Sequence, residues 1–144
     1  MTASAFPPHI RTADQAIDFL PAWAETFGGV LRDGIDVDED LDDSGQLAFY
    51  DVKEFHVVFE HASTVLTVAL SFDPSLNVDF YKFDLRRTDG TLLWREDNHV
   101  GHEQEHGGPH HLHIGPEENH RVPTSAMTFA EVAEKVVSTH ISRI

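Results

Sequence analysis

The chain has 144 residues, no cysteine, and 25 Asp+Glu against 10 Lys+Arg, a formal charge of −15 with histidines neutral; that length suits one core and points to a single domain spanning 1–144, and the missing thiols exclude disulfides and thiolate metal sites. Such acidity is best tolerated where salt shortens the Debye length, to about 3 Å near 1 M, which suggests a salt-rich host cytoplasm. No basic-then-apolar leader opens the chain and no apolar run approaches the ~20 residues needed to cross a bilayer, so a cytoplasmic protein without membrane contact is expected.

A helix is expected over 10–28. Thr12 caps it, Ile17, Leu20, Ala24 and Phe27 recur at helical spacing, Pro21 should kink or divide it, and Gly28-Gly29 ends it. Seven acids crowd Asp33 to Asp43, and an acidic loop is expected over 33–45. A calcium loop starting at Asp36 would need glycine at its sixth position, where Leu41 stands. A solvated loop is therefore the reading, with a docking surface for a basic partner as the alternative.

Strands follow, with a sheet expected over 50–114. Phe55 to Phe59 and Thr64 to Phe72 alternate apolar and smaller residues across a short connection at His61-Ala62-Ser63, which predicts antiparallel neighbours. His56 and His61 read as ordinary sheet and turn residues. Asp89-Gly90 between two strand-like runs is a strong hairpin signal. A two-residue turn there sets Leu85 against Trp94, Asp84 against Arg95, Lys82 against Asp97 and Tyr81 against Asn98. One face then gathers Phe83, Leu85, Leu92 and Trp94. The other carries Lys82, Asp84, Arg86, Arg95 and Asp97, with two opposite-charge pairs directly across. Leu76, Val78 and Phe80 run out of phase with Tyr81 and Phe83, which predicts a bulge near Phe80.

Between Trp94 and His113 lie six of the eleven histidines. Gly101, Gly107, Gly108 and Pro109 break the helical spacing of His99, His102, His106, His110 and His113, giving a histidine-rich loop and then a short strand from His110 to Ile114. A final helix is expected over 127–141, with Thr128 and Glu131 as a capping box and Phe129, Val132, Ala133, Val136 and Val137 as its apolar face. The fold class is α+β, an antiparallel sheet of four to five strands with N- and C-terminal helices packed on it as a two-layer sandwich.

Alternation along the last strand sends His111 and His113 to one side, near Arg95 and Asp97. Those four residues are the candidate catalytic set, and Lys82, Arg86, Tyr81 and Asn98 the candidate substrate-binding set. One reading is RNA cleavage without a cofactor, the two imidazoles sharing proton transfer, Asp97 orienting one of them and Arg95 stabilising the phosphorane. The segment Phe80 to Arg95 carries four cations against Asp84 and Asp89, a local +2 in a chain of −15. A second reading is a metal site for a divalent ion such as zinc, with His111 and His113 joined by Asp97, His99, His102 or His106. A third is a non-enzymatic interaction module, and a plain polar loop competes with all three.

Asp89-Gly90, Arg95-Glu96-Asp97-Asn98 and Pro109-His110-His111-Leu112-His113, followed by a C-terminal helix, resemble the TumE-type toxins of toxin–antitoxin modules over roughly 78–141. The family pattern carries an aromatic residue where this chain has Glu96, an Ala-Pro-His-like run where it has His99 to His102, and a basic residue where it has Leu112. The resemblance implies a small growth-inhibiting toxin paired with a helix-turn-helix antitoxin.

Overall fold

A computed structural model describes residues 5–98, 110–116, 121–123 and 128–142, with backbone alone for residues 111 and 121–123. Helix α1, Ala13–Thr26, opens with a capping box in which Gln15 N donates to Thr12 Oγ1 at 3.2 Å and the Gln15 side chain accepts from Thr12 N. Pro21 lies inside α1, which nevertheless runs as one helix. Gly28 takes a φ of +92° just past its end, a conformation glycine adopts without steric cost.

The strands are β1 (Val30–Leu31), β2 (Val37–Leu41), β3 (Leu47–Phe59), β4 (Thr64–Phe72), β5 (Val78–Arg87), β6 (Leu92–Asp97), β7 (His111–Ile114) and β8 (Arg121–Pro123), and α2 (Phe129–Ser142) follows. They form one antiparallel sheet in the order β1-β3-β4-β5-β6-β7-β8, with β2 also pairing the outer edge of β3. The sheet thus has seven positions rather than the expected four to five strands. The added strands are short or solvated: β1 has two residues, β8 three, and four of the five residues of β2 are exposed. A strand that buries neither face leaves no period-two hydrophobic signal, so the middle of the expected acidic loop at 33–45, Val37–Leu41, is an acidic strand.

The hairpin register is recovered with one local change. Lys82, Phe83, Asp84 and Leu85 face Asp97, Glu96, Arg95 and Trp94, but Arg86 faces Leu92 across a register shift. The connection is a three-residue loop, in which Arg87 N donates to Thr91 O at 2.9 Å and Gly90 sits at φ +96°. The extra residue, Leu93, is absorbed between the Leu85–Trp94 and Arg86–Leu92 pairs. The expected bulge near Phe80 is present, since Ser71 pairs Phe80 while Phe72 pairs Val78, leaving Asp79 unmatched.

Both helices cover the same sheet face. Phe129 of α2 meets Trp23 of α1 at 5.1 Å and Phe83 of β5 at 5.7 Å between ring centroids, and Trp23 Nε1 donates to Phe129 O at 2.9 Å. Phe6 enters the same cluster against Phe19, Phe72 and Phe129. α2 starts with the predicted capping box, Glu131 N donating to Thr128 Oγ1 at 3.2 Å. Phe129, Val132 and Val136 are buried, whereas Val137, expected on the apolar face, is exposed.

At the far end of β7, Gly115 N donates to Leu93 O at 2.9 Å, and a Cβ there would overlap the carbonyl of Leu92. Gly115→Ala should therefore push β7 off β6 and lower the unfolding free energy by about 1–3 kcal/mol, read as an earlier urea midpoint. An unchanged midpoint would show that β7 is not held by this close approach.

Candidate functional site

Alternation along β6 divides its side chains between two environments. Trp94 and Glu96 turn under the helices, and Arg95 and Asp97 turn to the face that no described helix covers. Pairing extends this face into a row: Asp84 of β5 opposes Arg95 of β6, which opposes His113 of β7, and His113 pairs through the backbone with Arg121 of β8. In the neighbouring row, Lys82 opposes Asp97 and Asp97 opposes His111.

The side chains in these rows form a charged network. Arg95 Nε donates to Asp97 Oδ2 at 3.0 Å, and His113 Nε2 lies 3.3 Å from the same oxygen. Arg95 Nη2 approaches His113 Nδ1 at 3.3 Å and Nε2 at 3.5 Å, and Arg95 Nη1 stands 4.0 Å from Asp84 Oδ2. Asp84 is gripped by Arg86 through two bonds, Nε at 2.8 Å and Nη2 at 3.2 Å. Asp84, Asp97 and His113 are all buried. Buried carboxylates cost several kcal/mol each unless they are paired and hydrogen-bonded, so the guanidiniums hold the acids in place.

The cations stay nearer solvent. The side chains of Lys82, Arg86 and Arg95 keep 28%, 31% and 23% of their accessibility, against 8% for Asp84 and 7% for Asp97. Around Arg86 and Arg95, partly exposed positive charge thus rests on buried negative charge, an arrangement suited to receiving an anion, whereas Lys82 is paired with Glu54, itself 51% exposed. Of the two opposite-charge pairs expected across the hairpin, Arg95 with Asp84 is an approach at 4.0 Å. The pair Lys82–Asp97 does not form, because Lys82 Nζ reaches across the sheet to Glu54 Oε2 at 3.0 Å. A lysine stem on a flat sheet face reaches neighbours two strands away, which the facing residue alone does not predict.

Tyr81 and Asn98 do not join this network. Asn98 Oδ1 accepts from Tyr81 N at 2.8 Å and its Nδ2 donates to Asp79 O at 2.8 Å, which closes the backbone around the bulge. Tyr81 is buried among the core aromatics, stacked with His110 at 5.7 Å, and its hydroxyl lies 2.9 Å from His110 Nδ1. Burial raises the Tyr81 hydroxyl pKa, with Glu96 and Asp97 adding to the effect, and lowers that of His110.

His99, His102 and His106 lie outside the described residues, as does the side chain of His111. Among the described residues no three His, Asp or Glu side chains converge as metal ligands.

Sequence reasoning missed the contact beneath the site. Glu96, between Arg95 and Asp97 but on the helix side, is 2% exposed, and Lys135 of α2 donates to its Oε1 at 3.0 Å while lying 5.1 Å from the Trp94 ring centroid. Its Oε2 is buried without a partner. Position 96 is thus a core position occupied by an acid. Periodicity held the signal, since Glu96 alternates in phase with Trp94. Burial raises the Glu96 pKa from the ordinary 4.5, against the opposing effect of Lys135. An acid with a raised folded-state pKa contributes stability below its unfolded value and loses that contribution as pH rises through the folded value. Unfolding free energy should therefore fall as pH rises from about 4.5, and Glu96→Gln should flatten the decline. An equally steep decline in the variant would assign it to other groups.

A protein-family model described as Toxin TumE matches residues 29–141. No curated protein and no solved structure matches the chain. Among the described residues, no helix is long and apolar enough to cross a membrane.

Proposed function

The chain belongs to the TumE toxin family, whose members imply an antitoxin partner, and from that premise we propose that it arrests growth by cleaving RNA through histidine acid–base chemistry, without a metal, and is neutralised by a helix-turn-helix antitoxin. The observation that carries the reading is the layer of partly exposed Arg86 and Arg95 over buried Asp84 and Asp97. In a chain of net charge −15, a polyanion finds a favourable surface on this face.

The reaction divides among these groups as follows. One imidazole of the pair His111 and His113 takes the proton from a ribose 2′-hydroxyl, and the 2′-oxygen attacks the adjoining phosphorus. The bond from phosphorus to the 5′-oxygen breaks, and the second imidazole returns a proton to that leaving oxygen. The products are a 2′,3′-cyclic phosphate and a 5′-hydroxyl, and no cofactor is consumed. Arg95 meets the charge that builds on the phosphorane, with Arg86 and Lys82 binding flanking phosphates. Asp97, at 3.3 Å from His113 Nε2 and 3.0 Å from Arg95 Nε, orients both.

Purified protein should therefore cut RNA in the presence of a chelator, with a bell-shaped pH dependence and cyclic phosphate ends. His111→Ala or His113→Ala should each lower the rate by about 10²-fold or more while circular dichroism stays unchanged. Cleavage that vanishes with chelator and returns with zinc would replace this reading with the metal site. Growth arrest with no RNA cleavage and no effect of either substitution would reject histidine chemistry altogether.

A further inference from the structure

The β3 end of the charged face holds a second cluster of ionisable side chains. Glu54 Oε2 accepts from Lys82 Nζ at 3.0 Å, and Glu54 Oε1 stands 3.9 Å from His56 Nε2. The local backbone explains how they meet. Val52 pairs Leu70 and Phe55 pairs Val68, so Lys53 and Glu54 together oppose the single residue Ala69. This is a β-bulge, a device that re-aims the side chains it carries. Ala69 in turn faces Lys82 on β5. It presents only a methyl group, which leaves the lysine stem a path over β4 to the carboxylate.

Pairing places this cluster in the same two rows as the proposed catalytic groups. The row of Asp84, Arg95 and His113 continues through Thr67 to His56, and the row of Lys82 and Asp97 continues through Ala69 to the bulge. Adjacent strands lie about 4.8 Å apart, so β5 is roughly 10 Å from β7, within reach of phosphates that flank the cleaved bond. Exposure separates Glu54 from the other acids of the face. Asp84 and Asp97 are more buried than the arginines they hold, whereas the Glu54 side chain is 51% exposed against 28% for Lys82. So open an ion pair contributes little to stability, and a competing anion can break it.

We propose that Lys82 and His56 form a subsite for a backbone phosphate of RNA, which Glu54 fills in the free protein as an internal competitor. The carboxylate is a stand-in for the phosphodiester, one negative charge shared by two oxygens. When substrate binds, Glu54 swings aside and Lys82 passes to the phosphate. An isolated phosphate competes poorly with a tethered carboxylate, but a chain already held at Arg86 and Arg95 presents its next phosphate at high effective concentration. Glu54 thereby selects polymer over free phosphate. The inference rests on the proposed action on RNA and extends the substrate path to β3.

The test is binding of a fluorescent single-stranded oligodeoxynucleotide, which lacks the 2′-hydroxyl and is not cut by the proposed route, followed by anisotropy at several salt concentrations. Glu54→Gln should tighten binding by about three- to tenfold and steepen its loss with salt, and Lys82→Met should weaken it. Asp51→Asn, at an exposed acid of the same strand, reports the general effect of removing one negative charge and should give a smaller gain. In the Lys82→Met background, Glu54→Gln should do no more than Asp51→Asn does. Where RNA is cut, Glu54→Gln should lower KM and leave kcat nearly unchanged. A gain from Glu54→Gln no larger than that from Asp51→Asn, or a full gain with Lys82 removed, overturns the proposal. So does a failure of both the parent and Glu54→Gln to bind the oligonucleotide. A parent that shows the predicted binding pattern yet leaves RNA intact removes the histidine chemistry and supports the subsite.

Discussion

The antiparallel pairing of β6 between β5 and β7 is the constraint on which the site depends. Because side chains alternate along a strand, one register sends Arg95 and Asp97 to the uncovered face and Trp94 and Glu96 beneath α2. The same register delivers Asp84 from one side and His113 from the other. A one-residue slip would place the arginine in the core and the tryptophan in the charged row, so core packing and site geometry select the same alignment. The bulge at Asp79 and the extra residue of the hairpin loop absorb mismatch at the two ends of β5 and leave the middle undisturbed.

Much of this was legible in the sequence. Asp89-Gly90 located the hairpin, the phase change before Tyr81 located the bulge, and Thr12 and Thr128 located the helix starts, because each signal is local and has a direct stereochemical cause. What escaped has causes that are not local. β2 carries Asp38, Glu39 and Asp40 and is held by backbone pairing to β3 rather than by burial, so hydrophobic periodicity is blind to it. Glu96 alternates in phase with Trp94, but its partner Lys135 comes from α2, 39 residues away. Lys82 was assigned the residue directly opposite, but its long stem reaches Glu54, two strands away. Asn98 and Tyr81 carried polar groups suited to a ligand, and the fold spends those groups on its own backbone and on His110.

On the proposed reading, an acidic protein acting on an acidic polymer needs its few cations in one place. The sheet meets this by burying carboxylates under guanidiniums on a single face, so that Asp84 and Asp97 fix the arginines without presenting negative charge to an incoming phosphate. The other side of the sheet is organised by aromatic packing among Trp23, Phe83 and Phe129.

The central claim is that Arg95, Asp97 and His113 act on RNA as one unit. It is tested most directly by a double-substitution cycle on the cleavage rate with Asp97→Asn and His113→Ala. If Asp97 works by orienting His113, the doubly substituted protein should be about as slow as the slower single variant, because groups that act together show strongly non-additive losses. Losses that multiply, with the folded structure retained in all three variants, would mean that the two residues act separately and would contradict the assignment.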